Sequence, residues 1–173
     1  MGLPILHKRI KLIIGFIFKD EAANKLARLF ILKKIGPIDS ESGIFTFCHT
    51  DYYKQEFGEN LKRKFISLKR PVSPENIYKV KLITNKIEAK ISKSGLRLIN
   101  IDPGYITESK LILLTTKDHG HRIYLKKGIY AEVTLKFEGG TFRPTDSTYP
   151  DYKSEEYIKF FNYIRAKYRE RLK

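Results

Sequence analysis

Residues 10–18, Ile-Lys-Leu-Ile-Ile-Gly-Phe-Ile-Phe, are almost all apolar. A run of this length and continuity is what a β-strand buried on both faces requires, and the rest of the chain reads as elements packed around it. No segment approaches the roughly 20 apolar residues of a membrane span, so no membrane partner is expected. Asp20 then offers an N-cap, and Leu26, Leu29, Phe30 and Lys33 with Ile35 follow at helical spacing until Gly36-Pro37 ends the helix. Gly43 to Cys48 reads as a second strand, and Phe65 to Leu68 as a third, framed by Lys62-Arg63-Lys64 and Lys69-Arg70. Ser73-Pro74 opens a second helix with an apolar stripe at Ile77, Val80, Ile83, Ile87 and Ile91, and Leu96 to Ile101 supplies a fourth strand.

The order β-α-β-β-α-β predicts an α+β fold with a ferredoxin-like core over about residues 10–105. A doubly wound sheet also alternates strands and helices, but the adjacent second and third strands favour the split form. The remaining residues predict an antiparallel β-ribbon over about 106–145 and a terminal helix over 153–170, all within a single domain, 1–173. In the ribbon, a three-residue loop ending at Gly128 would pair Leu125 with Ile129, Tyr124 with Tyr130, Ile123 with Ala131, and Arg122 with Glu132. Asp102-Pro103-Gly104 reads as a turn that ends the fourth strand. Ser154 caps the last helix, whose buried side is Tyr157, Phe160, Phe161, Ile164 and Tyr168.

Charge narrows the partners. The chain has 173 residues, and 34 Lys and Arg against 19 Asp and Glu leave a net charge of +15. Abundant Lys and Ile with no Trp suggests a heat-adapted composition, but Glu does not rise alongside Lys as ion-pair networks would need. The surplus is uneven: residues 61–110 carry twelve basic side chains against four acidic ones, whereas residues 20–60 carry five against seven. A sided basic surface steers polyanions, so RNA is one expected partner, with Lys62, Arg63, Lys64, Lys69 and Arg70 as its surface. The lone cysteine, Cys48, excludes an internal disulfide framework, and no secretory signal opens the chain, so a cytoplasmic location is expected.

P-loop, Rossmann, C-x-x-C, H-E-x-x-H and G-x-S-x-G signatures are all absent. The densest polar group is Lys117-Asp118-His119-Gly120-His121-Arg122, leading into the strand that carries Glu132. Asp102, Asp118 and Glu132 supply carboxylates and His121 a general base, while Lys110, Lys117 and Arg122 would hold a phosphate. Asp51, Tyr52, Tyr124 and Tyr130 complete the candidate ligand contacts. The bland counterpart is a salt-bridged hairpin in which Arg122 pairs with Glu132. No metal-ligand set is assigned; the cofactor is left open, a divalent ion such as magnesium being what these carboxylates would take. His119 and His121 form a His-x-His pair, a weak zinc signal.

The blocks Thr50-Asp51-Tyr52-Tyr53, Asp102-Pro103-Gly104-Tyr105, Thr115-Thr116-Lys117-Asp118, His121-Arg122-Ile123-Tyr124-Leu125, Gly128 to Leu135 and Tyr149-Pro150-Asp151-Tyr152 resemble a prokaryotic family of short single-domain proteins of unknown function. The resemblance spans essentially the whole chain and implies no activity or catalytic residue. His119 stands outside the pattern, which leaves His121 as the better candidate.

Three functional readings follow. The first is binding of RNA or of a nucleotide-like, phosphate-bearing ligand. The second is a small enzyme acting on a phosphorylated substrate, and the third a non-catalytic scaffold. Convergence of Asp51, Asp102, Lys117, His121, Arg122 and Glu132 on one concavity would favour a small ligand, and a continuous Lys/Arg stripe would favour nucleic acid.

Overall fold

The computed structural model describes residues 2–48 and 54–172, and shows a mixed α/β molecule built on one nine-stranded antiparallel sheet. Its elements in chain order are β1 (Lys11–Phe18), α1 (Glu21–Lys34), β2 (Ile38–Glu41), β3 (Phe45–Phe47), the one-turn α2 (Lys54–Phe57), β4 (Leu61–Leu68), α3 (Tyr78–Ile91), β5 (Ile99–Ile106), β6 (Lys110–Thr115), β7 (Ile123–Lys126), β8 (Ile129–Glu138), β9 (Thr141–Pro144) and α4 (Glu155–Glu170). The strand order is β2-β4-β1-β5-β6-β8-β7, with β3 also on β4 and β9 on β8. No described helix is long and apolar enough to cross a membrane.

Every residue of β1 is buried because the sheet is covered on both faces. Leu12, Ile14, Phe16 and Phe18 point to one side, where they pack with Ala23, Ala27 and Ile31 of α1 and Ile87 and Ile91 of α3. Ile13 points to the other and joins Phe65 of β4 against Tyr157, Phe161 and Ile164 of α4. The expected caps form: Asp20 accepts from the Ala22 N–H, Ser73 from Glu75 before a 3₁₀ turn at Pro74–Asn76, and Ser154 from Tyr157.

Several expectations need correction. The buried side of α1 is Ala23, Asn24, Ala27 and Ile31, whereas Leu26, Leu29 and Leu32 face solvent. The small alanines let the helix lie close to the sheet and so win the inner position over the larger leucines. The basic triplet Lys62-Arg63-Lys64 lies inside β4 rather than framing a shorter strand. Its partner edge is formed by β2 and β3 in succession, not by one strand at residues 43–48.

Asp102-Pro103-Gly104 is not a turn; it runs through the middle of β5. Pairing with β6 begins only at Gly104, so on that side no ladder partner asks Pro103 for an N–H. A Cβ built at Gly104 would clash with the Ile112 carbonyl oxygen of β6, so only glycine fits there. β6 itself, a Leu-Ile-Leu-Leu run, has no counterpart in the expected elements, and it joins the ribbon to the rest of the sheet.

In the ribbon, Tyr124 pairs with Tyr130 and Ile123 with Ala131 as expected. The loop is shorter, however: Lys126 pairs with Ile129 across Lys127-Gly128, both at positive φ (53° and 73°), and Leu125 is absorbed as a bulge. Across the next turn Phe137 pairs with Phe142.

Candidate functional site

Arg63 is the deepest polar side chain of the site, 1% exposed. Strand alternation along β4 sends Lys62 and Lys64 to the α1/α3 side and Arg63 to the α4 side. Its guanidinium lies across β1 at Gly15, where a Cβ would stand 2.9 Å from Arg63 Nη2. Only a residue without a side chain lets the arginine reach over β1 to β5. There Nη1 donates to Asp102 Oδ2 (3.2 Å), while Nη2 donates to the Tyr152 hydroxyl (2.6 Å). Asp151 Oδ2 stands 3.9 Å from Nε, and the rings of Phe65 and Tyr152 flank the cation. Burial opposes the charge, but Tyr152, Asp151 and Asp102 together hold the guanidinium above the usual arginine range. Burial in turn pushes the Tyr152 phenol far up against the pull of Arg63, so it keeps its proton.

A second group is assembled from the other end of the sheet. Glu132 of β8 is buried, and its Oε2 accepts from Arg122 Nε (2.7 Å) and from His121 Nε2 (2.9 Å). Arg122 also donates to the Lys117 carbonyl (3.0 Å) and, through Nη2, to the Tyr149 hydroxyl (2.6 Å). Burial and the neighbouring Glu132 carboxylate push the Tyr149 phenol up to about 12.

The two groups share one wall. Tyr149 caps and Tyr152 lies within a 3₁₀ turn at Pro150–Lys153, so the same turn is held by Arg122 at its start and by Arg63 further along. Between them is a cavity of about 420 Å³. Its apolar surface comes from Ile17, Phe47, Leu113 and Pro150, and its polar surface from Arg63, Asp102, Arg122, Glu132 and Asp151; Lys117 and His119 line it from the exposed β6–β7 loop. Asp102 Oδ2 takes both the Arg63 bond and one from Asn100 Nδ2 (2.8 Å), leaving Oδ1 without a hydrogen bond among the described residues.

Folding therefore brings together Asp102, Lys117, Arg122 and Glu132, with His121 bound to Glu132 at the edge of the cavity rather than lining it. His119, the histidine the sequence discounted, lines the cavity itself, its ring stacked 6.0 Å from that of His121. Asp118 faces Tyr130 instead. Tyr130 and Tyr124 form an edge-to-face pair on the ribbon and do not line the cavity. Lys110 starts β6 opposite Lys136, at the far end of that strand from Thr115. Asp51 and Tyr52 lie outside the described residues. Among the described residues no three His, Cys, Asp or Glu gather as metal ligands.

The expected basic stripe also divides. Arg63 is inside, Lys62 pairs with Glu21 and Lys64 with Glu41, and Lys69 and Arg70 lie beyond the opposite end of β4. The sequence marked Tyr149-Pro150-Asp151-Tyr152 as one of the blocks that carry the family resemblance, before a capped helix, but placed none of its residues in the site. Neither a curated protein nor a solved structure matches the chain. Residues 8–168 match the family described as Domain of unknown function (DUF4416), and the chain belongs to that family.

Proposed function

We propose that this protein binds a small phosphate-bearing molecule in the cavity between Arg63 and Arg122. The observation that carries the reading is the convergence of Asp102 from β5, Lys117 and Arg122 from the β6–β7 loop and Glu132 from β8 on one concavity of ligand size. Inside it the buried cations are matched by carboxylates, Arg63 by Asp102 and Asp151, Arg122 by Glu132. A bare phosphate gains little there. The exposed Lys117 and His119 suit the phosphate, and the interior suits an uncharged, hydroxyl-rich or heterocyclic portion that donates to Asp102 Oδ1 and packs on Phe47, Tyr149 and Tyr152. That combination describes a nucleoside or sugar monophosphate.

The strand order β2-β4-β1-β5, with α1 and α3 on one face, supports a ferredoxin-like core, but both faces of the sheet are covered, which disfavours RNA laid across it. The test is a thermal-shift titration with adenosine 5′-monophosphate, ribose 5-phosphate and inorganic phosphate. At a hundredfold excess over Kd, a matching monophosphate raises Tm by roughly 5–10 °C. Asp102→Asn and Arg122→Met should each abolish the rise. Absence of a shift with every organic phosphate at millimolar concentration removes the reading.

One observation favours chemistry on that ligand: the His121 imidazole is fixed by a buried carboxylate at 2.9 Å, the arrangement of a positioned proton-transfer group. His121→Ala would then leave ligand affinity nearly unchanged while stopping turnover. A loss of Tm comparable to that of a core substitution would mark it as structural instead.

A further inference from the structure

On the face of the sheet away from the cavity, α1 and α3 lie side by side, bridged where the Lys90 ammonium sits 4.6 Å over the Phe30 ring. The outward side of this pair has an unusual composition. Along α1, Lys25, Leu29 and Lys33 recur every four residues and so share one stripe. Leu26, Leu29 and Leu32 are 41%, 55% and 51% exposed, an apolar strip that nothing in the chain covers among the described residues. Along α3, Lys79, Lys86 and Lys90 are exposed, with the half-buried Leu82 one turn before Lys86.

On α1 the acidic side chain is Glu21 at the first residue, paired with Lys62, and Arg28 is paired with Glu41. Between Ala22 and Lys34 there is no Asp or Glu, and between Tyr78 and Lys93 there is only Glu88, which is buried and bonded to Ile101 N and Arg97. By contrast, Lys62 and Lys64 of β4 are paired with Glu21 and Glu41. Lys25, Lys33, Lys79 and Lys86 stand on one helical surface without a carboxylate partner among the described residues.

We infer that this α1/α3 face docks on an anionic lipid surface. A partner must supply negative charge for the lysines and an apolar medium for the leucines. The phosphodiester backbone of a nucleic acid supplies only the first, and would leave Leu26, Leu29 and Leu32 in water. An acidic leaflet supplies both, with headgroup phosphates at the level of the lysines and the acyl boundary below them for the leucines. The protein would lie on the membrane rather than cross it, in keeping with its helix lengths. The inference is independent of the cavity and of any ligand in it.

The experiment is co-sedimentation of the full chain with vesicles, one set of pure phosphatidylcholine and one containing phosphatidylglycerol at about one lipid in three. Binding to the acidic set alone is expected, weakening steeply between 50 and 300 mM salt. A Lys33→Gln/Lys86→Gln variant should lose about 25-fold in partitioning, roughly fivefold for each lysine. Leu29→Ser should lose about tenfold with an unchanged Tm, since that side chain faces solvent. Asp102→Asn, in the cavity, should bind vesicles as the parent does. Failure to sediment with acidic vesicles at low salt overturns the inference. So does binding that Leu29→Ser leaves intact, or preferential capture by RNA or by an acidic protein surface, since each would mean that the face reads charge without lipid.

Discussion

The most consequential single position is Gly15, which the sequence presents merely as an interruption in an apolar run. In the folded chain it is the gap through which Arg63 passes from β4 to Asp102, and its Cβ would meet both Arg63 Nη2 and the Phe65 ring at 2.9 Å. Gly15→Val should cost about 1–3 kcal/mol by overpacking, or more if the arginine is expelled. It should also remove monophosphate binding; an unchanged urea midpoint would show that Arg63 is not confined as described. Arg63→Leu is harsher, because Asp102 and Asp151 would lose their buried counter-charge, and a loss of roughly 3–5 kcal/mol is expected in the same denaturation measurement. Tyr152→Phe removes only one acceptor of Arg63 and should cost about 1 kcal/mol. At this scale the sequence was legible where a charged residue interrupted a strand pattern, as with Glu132 and Arg122. It was misleading for Arg63, since a Lys-Arg-Lys run looks like surface until strand alternation turns its middle member inward.

Elements are held by buried ion pairs as well as by apolar packing. Asp39 of β2 receives Lys11 of β1 (2.7 Å), Ser67 of β4 (2.6 Å) and Arg171 just past α4 (3.3 Å), so the edge strand, the central strands and the terminal helix are tied at one carboxylate. Burial alone would raise the Asp39 carboxyl, but the bonds from Lys11 and Ser67 and the charges of Lys11 and Lys167 outweigh it and hold it below its ordinary value. A depressed carboxyl contributes stability that is present above its unfolded value of about 3.9 and is lost as pH falls through the folded value. Stability should therefore drop on the acid side of about pH 4. Asp39→Asn should flatten that limb and cost roughly 3–5 kcal/mol at neutral pH, followed by circular dichroism against urea.

Glu88 has the opposite sign. Burial raises its carboxyl, so its contribution is complete below the unfolded value of about 4.3 and declines as pH climbs through the folded one. Glu88→Gln should remove that decline while keeping an acceptor for Ile101 N. The caps and the α3 and α4 stripes could be read from local pattern. The α1 face could not, because alanine and leucine both suit a helix interior, and only the distance to the sheet chooses between them.

For the whole molecule, a net charge of +15 on a chain of this size is self-repulsive. Raising NaCl from about 20 to 200 mM should increase Tm by a few degrees through screening, where a protein dominated by favourable ion pairs would lose stability. The ferredoxin-like expectation was drawn from the first 105 residues, and the sheet proves larger. The ribbon continues it through β6 and β8, and α4 closes the second face over Phe65, Leu113 and Leu135. Once both faces are covered, what remains for recognition is the cavity at one end and the outward side of α1 and α3.

The sequence alone determined the long helices with their caps and the central strand β1, because caps, turn residues and apolar periodicity act over a few residues; it missed β6 and the true extents of β2 to β5. It also determined the charge surplus, a plain count. Only the tertiary structure decided that Arg63, Asp102, Glu132 and Tyr152 surround one space, that Asp102-Pro103-Gly104 runs straight through a strand, and that Leu26, Leu29 and Leu32 face outward. Those outcomes depend on which strands pair and on which side of the sheet the last helix lands. They join residues as much as 89 positions apart, as Arg63 and Tyr152 are, a separation that local pattern does not encode.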